Sequence, residues 1–490
     1  MHLRSSLRAI LALALSDLVH ANTISKTLTV VNANIAPDGV NRSTVVVDGQ
    51  FPGPLITGHP GDHFMINVID NLTDPNMRRS TSIAHSNEMD GVSFVNQCPI
   101  VPDHSFLYDF VIPDPQDPLQ DLYDVDDETT VIMLADWYHE LSTLLFPNPG
   151  KNAPNPDATL INGLGRWANA TGTPTPLAVI RAQPGKRHRF RIISTSCLPT
   201  YQFSIDQHNL TIIETDGTET HPNTVDVITV EPGQRYSVIV TADKPVDNYW
   251  IRSIPVGGDG NPTTDGGVNS AILRYDGAQD TDPNSTAVAN PVSMNEANIV
   301  PLVNPGAPGE PFPGGADVNI NLLVGKDPVS GNFTINNVAF IPPSMPVLLQ
   351  VLSGAVSAGS VMPNASVYSL PPNKTVEVSF PGAFPHPMHL HGHNFDVVRV
   401  AGSSTYNYVN PIRRDVVSIG GPTDNVTFRF VTNNPGPWFL HCHIDWHLEA
   451  GLAIVFAEDA GDVGNADPPN EQWSDLCPLY NQLDPDTGLH

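Results

Sequence analysis

His441-Cys442-His443-Ile444-Asp445-Trp446-His447 sets one thiol between two imidazoles, with a third imidazole five residues after the thiol. On a strand, neighbouring side chains point to opposite faces. Cys442 therefore turns one way, and His441 and His443 turn the other. Upstream, His386-Pro387-Met388-His389-Leu390-His391-Gly392-His393 repeats the alternation at His389 and His391. Seven of the eighteen histidines of the chain fall in these two short clusters. Solvated or core-packed histidines seldom gather this way, whereas metal ligands do.

The spacing divides the residues into two groups. Cys442, His447 returning from the following turn, and His386 make a set of two histidines and one cysteine, the blue-copper arrangement. Behind it, His441, His443, His389 and His391 can hold a second metal centre, which receives electrons through Cys442. Zinc is the competing metal, but structural zinc sites usually bring Cys-x-x-Cys pairs, and the chain has none. Ten residues after Cys442 stands Leu452, where a weak axial methionine would be placed. Leucine cannot coordinate, which raises the expected reduction potential.

The rest of the 490-residue chain fits an exported β protein. Arg4 and Arg8, the apolar run 9–15 and Val19-His20-Ala21 read as a secretory signal, 1–21. No later run approaches membrane length. The net charge of −28 opposes nucleic acid and anionic membranes and favours a soluble monomer. Nine Asn-x-Ser/Thr sequons, from Asn41 to Asn425, suit a secreted glycoprotein. There are four cysteines: Cys98, Cys197, Cys442 and Cys477. With Cys442 a ligand, at most one disulfide forms and one thiol remains.

Short β-branched or alternating segments, such as 44–47 and 376–380, run throughout, among 48 prolines and 37 glycines. Pro60-Gly61, Pro184-Gly185 and Pro232-Gly233 each launch an alternating strand, and Pro372-Asn373 launches a similar one. The repetition predicts related β-sandwich units. The run 114–118, followed by acidic 121–128, reads as a junction, and 277–315 reads as a linker. The expected units are 22–118, 119–290 and 291–490.

The two clusters resemble the motifs of the multicopper oxidases, and among them of fungal laccases. Supporting stretches are Phe51-Pro-Gly-Pro-Leu-Ile-Thr57, Phe94-Val-Asn-Gln-Cys98-Pro, Ala135-Asp-Trp-Tyr-His139 and Leu160-Ile-Asn-Gly-Leu-Gly165. The resemblance covers nearly the whole mature chain. It implies an all-β fold of three cupredoxin-like Greek-key domains, one blue copper and a three-copper cluster. It also implies one-electron oxidation of phenols and aromatic amines coupled to reduction of dioxygen to water. By resemblance, His386, Cys442 and His447 bind the blue copper, and His447 also meets substrate. His389 serves the single member of the cluster, and His391, His441 and His443 its paired coppers. Asp445 and Asp90 match acidic positions that deliver protons. Cys98 pairs with Cys477, and Cys197 stays a thiol.

The chain also departs from the family. Of four His-x-His pairs it shows only the two C-terminal ones. Where the first belongs it reads Ser82-Ile-Ala-His85-Ser-Asn-Glu-Met-Asp90. Where the second should follow Val111-Ile-Pro-Asp114, it passes to Pro115-Gln-Asp-Pro118. Family-like sequence resumes at once beyond each point, as two internal deletions would leave it. The first domain is then truncated with exposed sheet edges, and the three-copper cluster is under-ligated. After Cys197 the family's acid for the phenol hydroxyl is replaced by Leu198. The readings are an extracellular laccase-type oxidase with impaired turnover, a copper protein retaining only the blue site, and a metal-free product without function.

Overall fold

A computed structural model describes residues 22–483 apart from 60, 74–89, 113–116, 146–152, 170–173, 258–267, 356, 362–364, 383, 467 and 469–470. The signal segment 1–21 and His85 lie outside the described residues, as does most of each position where a His-x-His pair was expected.

Strands dominate. In His63–Asp70 half-buried and buried residues alternate without exception, the mark of a strand with one face on a core. Thr23–Ile35, Arg42–Val47, His63–Asp70 and His104–Val111 form a four-stranded sheet, with the first strand between the second and the third. The expected open edge at His104–Val111 is partly covered. Leu107 N–H donates to Gln472 Oε1 (2.9 Å) on helix Glu471–Tyr480, and Trp473 packs on Phe106. A disulfide joins Cys98 to Cys477.

Residues 131–275 build a six-stranded and a five-stranded sheet packed face to face. The acidic residues that follow the expected junction dock on the second unit. Asp124 and Asp126 pair with Arg187, Arg189 and Arg191 on strand Arg187–Ser194, because that strand carries three cations that need partners. The stretch 277–315 likewise behaves as a strap. His221 N–H donates to Val300 O (2.9 Å), Leu302 N–H to Glu219 O (2.8 Å), and Glu296 reaches the buried Arg414.

The C-terminal sandwich positions the site. One sheet runs Val318–Asn321, Thr375–Pro381, Asn425–Val431, Phe395–Arg399, Ile412–Arg414. The other runs Val367–Leu370, Ala453–Glu458, Gly436–Cys442, Pro387–Leu390, Val416–Ser418. Two antiparallel strands thus bring the two histidine clusters side by side, with Met388 opposite Cys442 and His389 opposite His441.

Candidate metal centre

The thiol and two imidazoles converge. His386 Nδ1 and His447 Nδ1 are 3.0 Å apart, and Cys442 Sγ lies 3.6 and 3.7 Å from them. A point in that triangle is about 2 Å from all three atoms, a ligand distance for a first-row metal. His386 and Cys442 are buried, while His447 is half-buried. Cys442 closes its strand and His447 sits on the next short helix, Asp445–Glu449. Leu452 ties the two together: Cys442 N–H donates to its carbonyl and its own N–H donates to His447 O, both at 3.0 Å.

Burial lowers the His386 imidazole to about 4 and the His447 imidazole to about 3. For His447 the His386 ring and the Lys326 ammonium add to the effect. Both rings are therefore neutral near pH 7, the form that binds metal. Burial holds the Cys442 thiol well above its ordinary value, so it needs a cation to become thiolate. This donor set, two nitrogens and a sulfur in a trigonal array, fits copper.

A second group lies on the opposite face. Ligand atoms of His389, His391 and His441 all fall within 4.8 Å of one another. His389 Nδ1 donates to Asp415 O (2.9 Å), His391 Nδ1 to Asp90 Oδ2 (2.6 Å) and His441 Nδ1 to Cys442 O (2.9 Å). Each bond puts the lone pair of its ring on Nε2. His391 Nε2 then faces His441 Nε2 at 3.1 Å, an arrangement that calls for a cation between them. His443 is not part of that triad. Its ring stands 5.9 Å from that of His389 and 5.7 Å from that of His441. Its Nδ1 is buried with no hydrogen-bond partner among the described residues. The ring rests on Gly233, where a β-carbon would come within 2.3 Å of it.

Three described imidazoles with a fourth beside them can hold an ion in this group. They are too few to surround three ions without ligands from elsewhere.

The two acidic candidates separate. Asp90 is buried and orients His391. Asp445 keeps solvent access, its carboxyl is raised above the ordinary range by the crowding protein, and its N–H donates to Cys197 O (3.0 Å). Cys197 is free and half-buried. Its N–H and that of Leu198 donate to Asp136 (2.8 and 3.1 Å), whose carboxyl burial lifts to about 6. Asp136 accepts from Tyr138, and Tyr138 accepts from Trp446 beside His447.

Sequence reasoning missed several supports. Asp415 holds His389, and Arg235 chelates Asp415 at 2.6 and 2.7 Å. Phe333 packs 4.4 Å from the His447 ring. The Asp136–Tyr138 pair lay inside a stretch singled out only for its resemblance, and no signal marked the others.

Comparison with known proteins agrees with this geometry. The multicopper oxidase family matches three segments, 29–117, 128–278 and 340–462. Laccase-5 of Trametes villosa is 52% identical over 502 residues, which take in 93% of this chain and 94% of that protein. A laccase of Phlebia radiata is 53% identical over 493 residues, with the same coverage. The crystal structure of laccase from Botrytis aclada superposes with a TM-score of 0.82 at 28% identity, over 95% of this chain and 93% of that one. With three cupredoxin-like β units and a copper-type donor set, the chain belongs to the multicopper oxidases and is an oxidoreductase of the laccase type.

Proposed function

We propose that this chain takes single electrons from phenols and aromatic amines at the His447 edge, and that its reduction of dioxygen is impaired. The observation that carries the first half is the Cys442, His386 and His447 triangle, of which only His447 reaches towards solvent. Copper held there supplies reversible one-electron chemistry. With copper held by these residues, a phenol at the His447 edge would give up one electron to the site and its proton to solvent, leaving a phenoxyl radical. Cys442 is flanked in sequence by His441 and His443, so its own backbone is the shortest route to the second group. Asp90 keeps His391 oriented, and in this reading Asp445 and Asp90 supply protons as oxygen becomes water.

The second half rests on ligand counting. The alignment with Laccase-1 of Trametes villosa runs over 524 residues, more than the 490 of this chain. Such a relative carries positions with no counterpart here, which supports the reading of two internal deletions. A protein keeping only the blue site is the second reading, favoured by the placement of His443 outside the triad.

The units proposed are 22–118, 119–290 and 291–490. Export as a glycosylated monomer is supported by the leader pattern and by exposed sequon asparagines such as Asn41, Asn209 and Asn373. Among the described residues no helix is long and apolar enough to cross a membrane.

Stopped-flow mixing with a phenol, alongside an oxygen electrode and a copper assay, tests the reading. The expected result is oxidation of about one equivalent per blue site, then a bleached, stalled protein. Reinserting both missing segments should restore steady turnover, and reinserting one should not. Sustained oxygen uptake by the unmodified chain would overturn the impairment, and a folded, copper-loaded, colourless protein would overturn the site.

A further inference from the structure

Lys326 and Phe333 face each other across the hairpin of Val324–Lys326 and Phe333–Ile335. The Lys326 ammonium sits 4.4 Å from the centre of the Phe333 ring. That ring lies 4.4 Å from His447 and 5.4 Å from His386. Phe333 is pinned there, since its N–H donates to Ala450 O (2.8 Å) in the turn after the His447 helix. Lys326 itself is exposed.

The cation is unusual in its surroundings. The chain carries 51 acidic residues against 23 basic ones. Lys244 and Lys374 each meet an aspartate, at 3.0 and 3.6 Å. Lys326 enters no ion pair among the described residues. Its neighbour Asp327 does not neutralise it, because that carboxylate is committed to its own turn, accepting from Val329 N–H (2.9 Å) and Ser330 N–H (2.7 Å). An ammonium with no ion pair among the described residues, seated on the aromatic ring that packs beside His447, faces whatever docks there.

We propose that Lys326 makes this chain select phenols bearing an anionic substituent, a ring carboxylate or sulfonate, over neutral phenols of the same shape. The inference rests on the reading of His447 as the entry point for electrons. The phenol ring lies against Phe333, its hydroxyl towards His447, and its anionic group pairs with the ammonium. Such a pair, partly solvated, changes the rate constant by about three- to ten-fold and is screened by salt.

The test uses the copper-loaded full chain and follows bleaching of the blue band, so it does not depend on oxygen reduction. Syringate and its methyl ester are compared at low and high salt in the unmodified protein, Lys326→Gln, Lys326→Glu and Lys326→Arg. Lys326→Gln should slow syringate about three- to ten-fold and leave the ester within about two-fold. Lys326→Glu should slow syringate further, Lys326→Arg should retain the selectivity, and high salt should erase it. Equal slowing of both phenols, or no slowing of syringate, would overturn the proposal. If neither phenol bleaches any of the proteins, the reading of His447 falls and this inference falls with it.

Discussion

Nε2 of His391 lies 3.1 Å from Nε2 of His441, two lone pairs directed at each other across neighbouring strands. Their Nδ1 atoms are committed elsewhere, His391 to Asp90 and His441 to the carbonyl of Cys442. A cation shared between the two nitrogens would satisfy both lone pairs, and such outer hydrogen bonds to the far side of each ring are what orient the ligands of a metal site.

Asp90→Ala should weaken metal binding at the His391 group about 10- to 100-fold, because it frees the ring to rotate and lowers its basicity. The blue band should be unchanged, since His386, Cys442 and His447 do not touch Asp90. Copper retained per chain after dialysis against a graded chelator checks this, with absorbance near the blue band as the internal control.

Cys442→Ser should abolish the blue band and leave the fold intact. The change is nearly isosteric at a fully buried position, and the neighbouring core is untouched. Circular dichroism in the far ultraviolet should overlay that of the parent, while the visible spectrum is flat. A persisting band would move the thiolate ligand to Cys197.

Glu231→Gln should stabilise the protein more as pH rises. Burial pushes the Glu231 carboxyl up to about 7, from an ordinary value near 4.5. Between those values the folded state holds a proton that the unfolded state has lost. Stability of the parent therefore falls as pH climbs through this window, and the penalty is complete above about 7. The glutamine carries no charge and escapes it. Denaturant melts at pH 5 and pH 8 check the sign: the advantage of the variant should be larger at pH 8.

Cys98→Ser should destabilise the fold by about 2–4 kcal/mol, the usual effect of removing a native disulfide. The bridge spans 379 residues and ties the first sheet to the C-terminal helix, so loss of the first unit's cooperativity should accompany it. Peptide mapping under non-reducing conditions should find Cys98 joined to Cys477 and Cys197 free. Cys197 bridged to Cys98 would show the pairing wrong.

The sequence by itself determined that Cys442 and His441 face opposite ways. Strand alternation is a property of the backbone, so these two neighbours had to part wherever the strand lay, whereas His443 lies beyond the strand end. The Pro-Gly turns and β-branched runs likewise announced the sandwich units, and the motif order announced the family. Only the tertiary structure decided what surrounds those ligands. Asp90 reaches His391 across 301 positions, Gly233 forms the seat of His443, and Arg235 braces Asp415 beneath His389. Asp124 and Asp126, after the expected junction, dock on three arginines of the second unit. Lys326 and Phe333 carried no motif at all. These contacts depend on sheet register and on how the second and third units pack. Both are set by the collective burial of apolar side chains, a non-directional drive that leaves no local pattern in the chain.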